Sequence, residues 1–136
     1  MTIEAVIFTR LSGFAGLSAL VSDRIYPVTL PQNVEMPAVT VALVSDIRIQ
    51  AMGGFTGLVR ARYQVTSWSG EHDDGTAGNP DEAVAVAKQL ISALDGWTNT
   101  VGTVVQHSEV INKLQRHEAD TQTYFVPVDV RISYEE

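Results

Sequence analysis

Arg24-Ile25-Tyr26-Pro27, Leu30-Pro31-Gln32 and Met36-Pro37-Ala38-Val39 follow one another closely, and the chain begins to alternate directly after them. Each proline fixes φ, removes a backbone donor and pushes the residue before it out of the helical region. The stretch from Arg24 to Val44 therefore reads as an extended connection between an apolar helical start and a sheet. From Val39 onward, Val41, Leu43, Ile47 and Ile49 alternate against Thr40, Ala42, Asp46, Arg48 and Gln50, the period of a half-buried strand.

Downstream, Gly53-Gly54-Phe55-Thr56-Gly57 interrupts the alternation, which resumes with Val59, Ala61, Tyr63 and Val65 set against Arg60, Arg62, Gln64 and Thr66. The two runs predict a hairpin whose loop, Ala51 to Gly57, leaves Met52 and Phe55 with little local core. Upstream, Ile3, Val6, Ile7, Leu11 and Phe14 share one helical face from about Thr2 to Ser12. Gly13 and Gly16 break it, and Leu17, Leu20 and Val21 mark a second short turn over Ala15 to Val21.

Ser69 to Asn79 reads as a loop, with Gly70, Gly75 and Gly78 around the acidic Glu71, Asp73 and Asp74. Asn79 then caps a helix that opens on Pro80, Asp81 and Glu82. Its predicted stripe is Val84, Ala87, Ile91 and Leu94, widened by Ala83 and Leu90; Asp95-Gly96 ends it, and Trp97 packs beneath. Val101 to Leu114 predicts a strand with a bulge. In the last strand, Val126, Val128, Val130, Ile132 and Tyr134 oppose Pro127, Asp129, Arg131 and Ser133, with Pro127 marking an edge or a bulge. The expected fold is an α+β two-layer sandwich: a mainly antiparallel four-stranded sheet covered on one face by two helices.

A chain of 136 residues, 45 % hydrophobic and 18 % charged, suits one globular domain over 1–136. No window approaches the roughly 18 uninterrupted apolar residues of a membrane span, and the start lacks the basic and apolar regions of a signal peptide, so a cytoplasmic start is expected. Zero cysteine removes disulfides, thiolate nucleophiles and cysteine-bound metals. A net charge of −7 opposes general phosphate binding, and an acidic surface lets DNA slide past without sticking.

Reactive side chains gather in two places. Ser67, Ser69, His72, Asp73 and Asp74 crowd one loop, but triad members converge from distant segments and no Gly-x-Ser-x-Gly elbow is present, so a solvated loop is the simpler account. His107, Glu109, His117, Glu118 and Asp120 offer metal donors without a recognised ligand spacing. The glycines near Gly53 lack the Lys-Ser/Thr and helix start of a phosphate cradle. Arg60 and Arg62 suit carboxylates on a neighbouring strand or subunit, and Trp68 shares their strand face. Unburied Met52, Phe55 and Leu58 point to contact with another chain.

Leu20-Val21-Ser22-Asp23-Arg24-Ile25-Tyr26-Pro27, the Leu30-Pro31-Gln32 and Met36-Pro37 turns, Val65-Thr66-Ser67-Trp68-Ser69, the helix after Asn79-Pro80 and the strand from Tyr124 to Tyr134 occur in an order and spacing that resembles the small tail-completion proteins of bacteriophages and prophages, also called tail terminators or tail-to-head joining proteins. The resemblance implies a non-enzymatic virion protein of the tail or neck, assembled in the host cytoplasm. It implies a homo-oligomeric ring, commonly a hexamer, that ends the tail tube and meets the head connector while genomic DNA passes through, with no cofactor, metal or membrane. A neck or head-completion protein on the connector side is the alternative, and a small hydrolase or metal enzyme a second. The expected interface is Met52, Phe55, Leu58, Arg60, Arg62, Trp68, Glu71, Asp73 and Asp74.

Overall fold

The computed structural model describes residues 2–72, 75–120 and 122–136; Asp73 and Asp74 of the acidic loop lie outside them. Among the described residues, three helices lie against a six-stranded sheet: α1 (Ile3–Ser12), α2 (Ala15–Val21), β1 (Ile25–Pro27), β2 (Ala38–Ala51), β3 (Gly54–Ser69), α3 (Pro80–Leu94), β4 (Val105–Lys113), β5 (Arg116–Glu118) and β6 (Thr123–Glu135). The α+β sandwich is as expected, and the four long strands gain two short ones. Strand order is β1-β2-β3-β6-β4, with β5 also paired to β6; β1 runs parallel to β2 and every other pair is antiparallel. Among the described residues no single helix is long and apolar enough to cross a membrane.

Thr2 caps α1 by accepting from the Ala5 amide, and α1 meets α2 at a bend of 80°, the break that Gly13 and Gly16 announce. Asn79 caps α3 by accepting from the Glu82 amide at 2.7 Å. The buried stripe of α3 is centred on Ala83, Val86, Ala87, Leu90, Ala93 and Leu94; Val84 and Ile91 flank it, half-buried, so the helix is rotated slightly from the predicted face. Each fully buried Leu or Val contributes about 1.5–3 kcal/mol through removal from water.

Buried serines fix α3 on the sheet. Ser67 of β3 donates to the Ala83 carbonyl at 2.7 Å, and Ser108 of β4 donates at 2.6 Å to the Leu94 carbonyl, one of the acceptors that a helix end leaves unpaired. Trp97 lies buried just past the helix, as its position predicts. Tyr63 is buried beneath α1 and donates to Glu4 at 2.8 Å; burial, and then the Glu4 carboxylate, push its phenol well above the usual range.

Pro127 is not at a sheet edge, because β6 is central. Its carbonyl accepts from the Leu114 amide, on the side where β4 has ended at Lys113 and β5 has not begun. The missing donor thus faces a gap in the neighbouring ladder. Where one bulge is predicted for β4 there are two register shifts, between Val105 and His107 and between Val110 and Asn112.

The half-buried reading of β2 holds only for its first part. Ala38 to Val41 are buried, but no residue from Ala42 to Ala51 is. Strand and helix lengths explain this: the 16 residues of β3 extend roughly 53 Å at ~3.3 Å each, and the 15 of α3 only roughly 22 Å at ~1.5 Å each. The β2–β3 hairpin therefore outruns the helical layer and leaves an arm in solvent.

Candidate functional site

The arm is built from Leu43 to Leu58. Its tip is tighter than the predicted loop: Ala51 pairs with Gly54, so only Met52 and Gly53 make the turn, and Gly54 exits it at the positive φ of 118° that glycine tolerates. Two register shifts, between Leu43 and Ser45 and between Arg48 and Gln50, displace the alternation. Thr56 donates to the Ile49 carbonyl at 2.8 Å beside the second shift.

Exposed apolar groups concentrate on this arm. Ile47 is 60 % exposed, Leu43 and Val44 about half, and Met52 fully. Phe55 is 37 % exposed because the Arg48 guanidinium lies 3.9 Å from its ring centre, held in turn by Glu136 at 2.7 Å. Leu58 is half-buried. The expected interface takes in Met52, Phe55 and Leu58 and leaves out Leu43, Val44 and Ile47, which the structure exposes as well. Their alternation looks like a core face, and the missed signal was strand length against helix length.

The sheet face turned away from the helices is polar at its middle. Asp129, almost buried, accepts from Arg62 at 2.7 Å and from Gln64 at 3.3 Å, giving Arg62 the cross-strand partner that its position predicts. Arg60 has no ion-pair partner among the described residues. Trp68 stacks on Phe125 with ring centres 4.7 Å apart and donates to Thr40 at 3.0 Å, so one side of the indole packs within the sheet.

The free side of Trp68 lines a cleft of about 570 Å³ at the opposite end of the sheet from the arm tip. Its other wall is the proline-marked segment, with Val28, Leu30, Pro31, Val34 and Met36; Glu71 and Glu118 also border it. Val28 is 67 % exposed and holds φ at 64°, a conformation that β-branched residues seldom adopt. It stays there because its amide donates to the Val41 carbonyl at 2.9 Å. Close by, Gly70 and Gly78 cross so tightly that a Cβ on Gly78 would lie 2.6 Å from the Gly70 Cα.

The candidate catalytic residues have structural partners. Ser67 is buried against Ala83, and Ser69 and His72 both meet the same Glu82 oxygen, at 2.8 and 3.0 Å. A carboxylate standing between hydroxyl and imidazole is the wrong order for a triad, in which the imidazole must lie between them. The candidate metal donors are dispersed. His107 and His117 face Ser133 and Tyr124 of β6, roughly 30 Å apart at ~3.3 Å per residue, and His107 sits 3.7 Å from Glu109 while His117 stacks on Tyr124. Among the described residues no three His, Asp or Glu side chains gather as metal ligands.

Comparison with known proteins gives matches to a family model and to solved structures. The family model described as tail completion protein gp17 matches residues 5–135. A chain from a structure titled "Virion of native gene transfer agent (GTA) particle" has a similar fold, with a TM-score of 0.74 at 15 % identity, covering 98 % of this chain and 95 % of that one. No curated protein matches.

Proposed function

The chain belongs to the tail completion protein gp17 family, and from that premise we propose that copies of it form a ring at the head-proximal end of a phage-type tail tube. The ring, of six copies in the arrangement that the family resemblance implies, ends tube growth and joins tail to head. Its partners are itself, the tail tube protein and the head connector; DNA passes through without specific binding, in keeping with a net charge of −7. The protein acts in the virion tail or neck as a structural part and not as an enzyme.

The carrying observation is the arm, which holds Leu43, Val44, Ile47, Met52 and Phe55 in solvent on a domain whose remaining core is well packed. Exposed apolar surface concentrated in this way is stabilised when a partner covers it. The arm and the free edge of β2 make the contact with a neighbouring copy or with the last tube ring. Arg60 sits at the base of the arm, Trp68 and Glu71 line the cleft at the far end of the sheet as a further partner surface, and the acidic residues Asp73 and Asp74 serve contact with a partner or the channel.

Light scattering coupled to size exclusion, over a concentration series with and without purified tail tubes, tests this reading. Ring-sized masses are expected, and combined Ile47→Asp and Phe55→Asp substitutions remove them. A wild-type protein that stays monomeric even with tubes present overturns it.

A further inference from the structure

We propose that the arm tip, led by Met52, docks into the cleft between the proline-marked segment and Trp68 of a second copy, so that successive copies join head to tail. The inference rests on the ring reading above and names the receiving surface that the ring reading leaves open.

Position comes first. Met52 and Gly53 turn the chain at one end of β2, and the cleft opens beside Ala38 and Trp68 at the other, where these two residues pair. The 14 residues of β2 separate the two by roughly 46 Å at ~3.3 Å each, so no copy reaches its own cleft. A protruding element at one end and a hollow at the other make a heterologous contact, which repeats around a ring in a way that a two-fold contact does not.

Chemistry agrees with position. The cleft is apolar along Val28, Leu30, Pro31, Val34, Met36 and Trp68, and its volume of about 570 Å³ falls in the range of ~300–1,000 Å³ that accepts a ligand the size of several side chains. Its border carries Glu71 and Glu118, neither ion-paired among the described residues, while on the arm Asp46 offsets Arg48, which Glu136 already holds at 2.7 Å. The match is therefore one of apolar surface, a fully exposed Met52 at the tip against an apolar hollow. Val28 adds an independent sign. Its left-handed backbone costs on the order of 1–3 kcal/mol, and such strain collects where a surface is shaped for a partner.

The absence of native cysteine makes the test direct. A Met52→Cys/Val28→Cys double variant, oxidised mildly under assembling conditions, is expected to give a ladder of covalent multimers, and each single variant to stay monomeric on a non-reducing gel. Met52→Asp is expected to raise the concentration needed for assembly at least tenfold, and Met52→Leu to leave it within twofold. Rings that form without the ladder overturn this inference and leave the ring reading standing. Efficient dimers of Met52→Cys alone overturn it in favour of tip-to-tip pairing. A wild-type protein that never assembles, even on tail tubes, overturns both.

Discussion

Ile47 and Val59 sit one register step apart in the same hairpin, and both read as core positions in the sequence, yet one is 60 % exposed and the other fully buried. Replacing each by aspartate separates assembly from folding. Ile47→Asp removes little from the free subunit, so its unfolding free energy should change by no more than about 0.5 kcal/mol, the usual range for surface substitutions. Val59→Asp places an unpaired carboxylate in the core, where the cost of several kcal/mol consumes most of a domain stability of ~5–15 kcal/mol. Association should respond in the opposite order. Covering the exposed 60 % of Ile47 is worth about 1–2 kcal/mol per contact, taken from ~1.5–3 kcal/mol for complete burial, and a buried carboxylate adds a desolvation cost. Since 1.4 kcal/mol is a factor of ten, assembly should weaken by more than about tenfold per contact. Urea unfolding followed by circular dichroism, beside sedimentation across a concentration series, measures both quantities. A loss of more than about 2 kcal/mol in the Ile47→Asp monomer would refute the view that the arm stands outside the core.

Ser108→Ala removes the 2.6 Å donor from the Leu94 carbonyl, which keeps only the longer contact of 3.3 Å from the Trp97 amide, and should cost about 0.5–1.5 kcal/mol in chemical denaturation, with no change in the helix content of the native state. Gly78→Ala drives a Cβ against the Gly70 backbone, which cannot rotate away as a side chain would, so a loss of about 1–3 kcal/mol is expected by thermal unfolding. Alkaline pH provides a further check, because the Tyr63 phenol is held above its ordinary value of 10.0 chiefly by burial. The unfolded chain therefore releases this proton first as pH rises, and the stability present below pH 10 falls above it; Tyr63→Phe should make that fall shallower in pH-dependent urea titrations.

Local chemistry made α3 legible. The cap at Asn79, the proline at position 80 and the apolar repeat needed no knowledge of their surroundings, and only the rotation of the stripe required the sheet. The same holds for β6, whose face of Val126, Val128, Val130, Ile132 and Tyr134 is buried throughout. Alternation tells that Leu43, Ile47 and Ile49 belong to a strand, but it says nothing about what lies above that strand, and here nothing does. The shifts beside Val44 and Ile49 were equally hidden, because a bulge is defined by the partner strand. The cleft is a tertiary product as well: Val28, Leu30 and Met36 were visible as proline neighbours, and only folding brings them opposite Trp68.

β1 pairs with β2 only as far as Val41, which leaves the outer half of β2 with an unsatisfied row of amides and carbonyls beside exposed apolar side chains. Such an edge invites indiscriminate fibre growth. The irregularities at Val44 and Ile49 answer it, because each one coils the strand more tightly and spoils the straight, evenly spaced template that a stacking fibril needs. A subunit of this design can be stored at high concentration and still recognise a partner whose surface follows the same coil. Straightening either kink, for instance by deleting Val44, would therefore turn a patient building block into a precipitate.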